Sequence, residues 1–213
     1  MMECMRAVSV AVAVVFASPA LADGPITLQD FNTLVLGATI VGPVGPEVEA
    51  SLIGPDGASV GDINSRVQCP DGVETCAPPK LPAGTVYTYI HEITPGADRP
   101  NDTPFARPDQ VVSMDGANLF RLGRKSEGFT GVAGYSFSEA KAATGTEQPF
   151  TISADADGRL VWRASDAHPW KTGQTVTFFW QTTQPPVGPR DGFTLSNGQM
   201  SGTGIGPAPK PAE

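Results

Sequence analysis

Residues 149–184 read PFTISADADGRLVWRASDAHPWKTGQTVTFFWQTTQ, and this stretch decides the fold class. Two short β-type runs, Phe150–Ala154 and Leu160–Ala164, flank Asp155-Ala156-Asp157-Gly158-Arg159. Gly158 can supply a positive φ in that turn, so the pattern predicts a hairpin with a three- to five-residue loop. A third run, residues 174–183, follows the turn dipeptide Thr172-Gly173 and is rich in β-branched and aromatic residues. Its alternation places Val176, Phe178 and Trp180 on one face, the expected core. Thr175, Thr177, Phe179 and Gln181 fall on the other, where Phe179 is left for a second packed surface or a ligand.

The same design recurs on both sides. Residues 85–93, TVYTYIHEI, form a strong strand pattern with Tyr87, Tyr89, His91 and Ile93 on one face. Residues 47–53 alternate polar and apolar positions, and 26–28, 34–41, 60–67, 118–122 and 193–195 read as shorter β segments. Met114-Asp115-Gly116-Ala117 predicts another hairpin turn, and Pro185, Pro186 and Pro189 mark a turn after the third run. One helix is expected: Ser136 and Glu139 have capping-box spacing, alanines follow, and Gly145 stops it. With 24 Gly and 21 Pro interspersed among apolar runs, the chain predicts an all-β fold. The expected architecture is an antiparallel β-sandwich, Ig-like or jelly-roll-like, of about eight to ten short strands with at most one short helix.

Residues 1–22 read as a signal peptide. Arg6 gives a basic start, Ala7 to Phe16 is apolar, and Ala20-Leu21-Ala22 is an A-x-A cleavage site. Met5 offers an alternative start, and Cys4 lies ahead of the apolar run rather than at the cleavage site. A run this short does not span a bilayer, so no membrane anchor is expected after cleavage. The expected organisation is a signal peptide over 1–22, a single β-sandwich domain over 23–197, and a flexible Gly/Pro-rich tail over 198–213. Residues 94–108 carry four prolines and read as a long loop, with a glycosylation sequon at Asn101-Asp102-Thr103.

The formal net charge is −8, and the signal peptide removes one Glu and one Arg, so processing leaves it unchanged. Such acidity argues against nucleic acid and against anionic lipid as partners. Export leaves Cys69 and Cys76 in an oxidising compartment, and the intervening Pro70-Asp71-Gly72 turn lets them meet, which predicts a disulfide.

The two histidines, His91 and His168, are too few for a histidine-rich metal site. His91, on a strand, reads as a buried hydrogen-bonded side chain. His168 and Trp170 sit in the loop segment Asp166-Ala167-His168-Pro169-Trp170, and loops on rigid scaffolds carry binding residues. These two are the candidate binding residues. Asp155 and Asp157 resemble half a calcium loop, but position twelve is Ala164 rather than a bidentate Glu, which leaves turn chemistry or a looser calcium site. Arg121, Arg124 and Lys125 form a basic cluster that reads as a solvated strand edge. No nucleophile elbow, phosphate loop or dinucleotide fingerprint is present, and no cofactor or catalytic residue is assigned. The expected function is a non-enzymatic exported domain, periplasmic or extracellular, serving as a binding or structural module for a protein or polysaccharide. The alternatives are a β-sandwich carbohydrate-active hydrolase or lyase with paired carboxylates beside Tyr87, Tyr89, Trp162, Trp170 or Trp180, and a calcium-stabilised surface module.

Overall fold

The computed structural model describes residues 26–40, 48–98 and 110–211, which form twelve strands and one α-helix. The strands are β1 (Thr27–Asp30), β2 (Leu36–Thr39), β3 (Val48–Ile53), β4 (Ser59–Pro70), β5 (Tyr87–Pro95) and β6 (Leu119–Arg121). After β7 (Phe129–Tyr135) comes the helix α1 (Phe137–Thr144), then β8 (Phe150–Ala154), β9 (Leu160–Ala164), β10 (Val176–Thr182), β11 (Pro186–Ser196) and β12 (Ser201–Pro209). All belong to one sheet in the order β1-β7-β10-β5-β4-β3-β12-β11-β6-β9-β8, with β2 on the far end of β4. The sheet is mixed, because β1 runs parallel to β7, and it curls until it is nearly closed into a barrel.

The local signals in 149–184 are realised. β8 and β9 pair from Phe150↔Ala164 to Ala154↔Leu160, and Gly158 takes φ 73° in the five-residue turn between them. β10 lies between β7 and β5, so both of its edges are hydrogen-bonded. Phe178 is the centre of the inner face, its ring 5.1–6.3 Å from those of Phe120, Tyr135, Phe150, Trp162 and Trp170. On the outer face Phe179 is covered by Phe31, with ring centroids 5.9 Å apart, so it serves a second packed surface.

Two side chains tie the free ends of the sheet together. Trp162 on β9 donates its indole N–H to the Gly134 carbonyl on β7 at 3.1 Å, and the Tyr135 hydroxyl donates to the Phe150 carbonyl on β8 at 3.4 Å. Burial outweighs that bond and pushes the Tyr135 pKa up to about 12. The helix between β7 and β8 is capped at both ends as its sequence predicts: Ser136 Oγ accepts from the Glu139 N–H, and Gly145 adopts the left-handed conformation. The reciprocal half of the capping box is replaced, because Glu139 reaches instead to the Thr177 N–H at 2.7 Å and fastens the helix to β10. Cys69 and Cys76 form the expected disulfide, with Cα atoms 5.6 Å apart and both residues buried.

Several expectations are corrected. The strands do not divide into two antiparallel sheets, since hydrogen-bonded pairing runs unbroken from β1 to β8. Residues 111–122 do not close a hairpin: Val111 bridges to Ser59, while β6 lies between β11 and β9. Pro186 and Pro189 do not end the sheet but lie within β11, opposite Pro209 and Pro207, at positions where the register shifts. The 198–213 segment holds β12, inserted between β3 and β11. Its alternation is hidden in glycine. Gly202, Gly204, Gly206 and Ala208 are buried, whereas Thr203 and Ile205 are exposed. A Cβ on Gly202 would sit 2.3 Å from Val60 Cγ2 and 2.8 Å from the Leu52 carbonyl oxygen, so the strand packs by close backbone approach rather than by side-chain bulk. Residues 1–25, which include the expected signal peptide, and 99–109, which include most of the long loop and the sequon, lie outside the described residues.

Candidate functional site

The inward face of β5 places His91 in the middle of the barrel. Its ring lies 5.7 Å from Phe120 and 5.1 Å from Phe193, which come from β6 and β11. Trp180 donates its indole N–H to Nε2 at 3.3 Å, and an indole nitrogen can only donate. Nε2 is therefore the bare nitrogen, and Nδ1–H donates to Ser65 Oγ at 2.9 Å. Burial, reinforced by the Arg66 charge, pushes the His91 pKa down to about 3. A Ser–His contact is thus present, but it is inaccessible to a substrate. Its imidazole is too weak a base to draw the proton from a serine hydroxyl near neutral pH. The reading of His91 as a buried, hydrogen-bonded residue stands.

The sequence-selected loop divides. His168 is exposed, with its N–H donated to the Ser165 carbonyl. Trp170 is fully buried, its ring packed edge-on against Phe150 and Phe178 and its N–H donated to the Gln174 carbonyl at 2.7 Å. The chain does not bring His168 and Trp170 to a common surface. The other aromatics considered for sugar stacking, Tyr87, Tyr89, Trp162 and Trp180, are at most 3% exposed.

The Asp155 turn is internally satisfied. Asp155 Oδ1 accepts the N–H groups of Asp157 and Arg159, and Oδ2 accepts the Arg159 guanidinium at 3.1 Å. Burial works to raise the Asp155 pKa, but these bonds and the Arg159 charge together hold it below its ordinary value. Asp157 also pairs with Arg159. A cation would have to displace a guanidinium from both carboxylates.

The basic cluster also divides, and part of it builds a groove. Arg121 turns away to Asp155 and to the Thr194 hydroxyl. Arg124 and Lys125 stay exposed on the β6–β7 loop and, with Glu127, line a groove of about 420 Å³ whose other walls are Val187, Arg190, Ala208, Pro209 and Pro211. The loop is held from beneath by Ser126, whose N–H and Oγ both donate to the Gly158 carbonyl at 2.9 and 2.8 Å. It also touches the β11 backbone so closely that a Cβ on Gly123 would lie 2.6 Å from the Asp191 carbonyl oxygen. Arg124 pairs with Asp191 at 2.7 Å and Lys125 with Glu127 at 3.0 Å. Arg190 donates to the Pro189 carbonyl and has no carboxylate partner among the described residues.

Arg124 and Lys125 stand out in the sequence as a basic cluster, whereas Arg190, Val187 and the wall of Ala208, Pro209 and Pro211 do not. Those residues join the cluster only through the β11–β12 pairing, and a segment read as a tail offers no register. The chain matches no protein-family model, no curated protein and no solved structure.

Proposed function

We propose that this chain is an exported, non-enzymatic β-domain, periplasmic or extracellular, that serves as a binding or structural module of the cell envelope or exterior. The observation that carries the reading is the sealed state of its Ser65–His91 contact: both residues are fully buried, and the imidazole's bare nitrogen is taken by the Trp180 indole. Export is supported by the Arg6–Ala22 pattern and fits a Cys69–Cys76 disulfide. The polysaccharide-hydrolase alternative is disfavoured because the candidate stacking aromatics are core residues. The calcium alternative is disfavoured because Arg159 already neutralises both turn carboxylates.

Two measurements test this. Mass spectrometry of the exported chain should find an N-terminus at Asp23, and retention of residues 1–22 would remove the export half of the proposal. Incubation of the full chain with neutral and uronate polysaccharides and with simple esters should give no turnover. Turnover that disappears in Ser65→Ala, or on substitution of a carboxylate, would establish an enzyme instead.

A further inference from the structure

We infer that the groove between the β6–β7 loop and the β11–β12 end binds a small organic anion: a carboxylate or phosphate head carried on an apolar body. This rests on the reading of the chain as a binding module and names the ligand class. The lining holds three cations, Arg124, Lys125 and Arg190, and one anion, Glu127, within a chain whose net charge is −8. The remaining walls, Val187, Ala208, Pro209 and Pro211, are apolar, and the prolines offer no N–H. Polar recognition therefore falls to the cationic heads, and Arg190 has a guanidinium fork free of carboxylates among the described residues. The Arg124–Asp191 pair is exposed on both sides, so a ligand oxyanion can replace Asp191 at small cost, while Lys125 stays exposed beside a half-buried Glu127. The volume suits a compact ligand. A long polyanion would meet repulsion from a chain of net charge −8, which favours a small anion over a polymer.

The test is amide chemical-shift mapping of the full chain titrated with benzoate, phenyl phosphate and the neutral isostere benzamide, each to roughly 20 mM, a range that captures millimolar affinity. Benzoate or phenyl phosphate should shift amides around Arg124, Lys125 and Arg190, while benzamide leaves them in place; the stronger of the two identifies the head group. Arg190→Gln should weaken binding about tenfold, as expected for loss of a charge-assisted hydrogen bond. Lys141→Gln, on α1, should leave it unchanged, and equal melting temperatures would show that both variants fold. Raising the salt to about 0.5 M should weaken binding severalfold. Equal shifts with benzamide, shifts elsewhere, no shifts, or indifference to Arg190→Gln would each overturn the inference. Those results would leave the non-enzymatic reading standing, whereas catalytic turnover would remove that reading without touching the groove.

Discussion

His91 shows how one buried titratable group sets an acid limit on the fold. In the folded chain its pKa is about 3, against 6.5 for an unperturbed imidazole. Above pH 6.5 neither state holds the proton, and the full stability is present. As pH falls from 6.5 towards 3 only the unfolded chain takes the proton, so this one group removes stability at about 1.4 kcal/mol per pH unit. Urea unfolding at pH 7 and pH 4.5 should show the loss. In His91→Gln, which cannot titrate, the slope should be shallower, although that variant is less stable at both pH values. A slope unchanged by the substitution would mean that the proton is taken up elsewhere. Trp170 and His168 make a second residue-scale contrast. Trp170→Ala empties a fully buried aromatic site and should cost about 3–5 kcal/mol, whereas exposed His168→Ala should stay within about 0.5 kcal/mol. Thermal denaturation of the pair checks this; a mild Trp170→Ala phenotype would return that ring to the list of binding candidates.

At the scale of elements, β12 carries the sharpest expectation. Gly202→Ala pushes a Cβ against Val60 and the Leu52 backbone and should destabilise by about 1–3 kcal/mol. Thr203→Ala, one position along and pointing outward, should be near neutral. Denaturant midpoints for the two variants decide whether the strand is packed or loose. The contrast between β12 and β10 also explains what was legible from the chain. β10, the 154–160 turn and the α1 caps depend on neighbours within a few residues, and Phe178, Gly158, Ser136 and Gly145 announce them. β12 depends on the space beside Leu52 and Val60, some 140 residues earlier, and hydropathy has no symbol for a glycine whose role is to be thin. Trp170 misleads for a related reason. Its His-Pro-Trp context reads as an exposed loop, yet the backbone folds the ring inward onto Phe150 and Phe178, a placement set by β8 and β10 rather than by its own neighbours.

Across the whole molecule, strand content follows from alternation, but closure does not. Counting strands cannot distinguish two stacked sheets from one curled sheet, because both bury one face of every strand. The decision lies in pairings between distant segments, such as β6 with both β9 and β11, and in crossing bonds such as Trp162 to Gly134. The groove is legible only at this scale too, since Lys125 and Arg190 become neighbours through the same pairings. Removing residues 198–213 should therefore abolish the cooperative transition, not shorten a tail. Circular dichroism and a thermal melt of the shortened chain would show it, and a native-like melt would contradict the central placement of β12.

That placement also imposes an order in time. β3 and β11 lie more than a hundred residues apart, and the segment that lies between them is β12, which follows every other strand in the chain. A polypeptide made, or threaded through a pore, only as far as residue 200 holds eleven strands without the one that pairs with both β3 and β11. Until the glycine strand has emerged, β3 and β11 have no strand to pair through, and unbroken pairing along the sheet waits for the last residues of the chain.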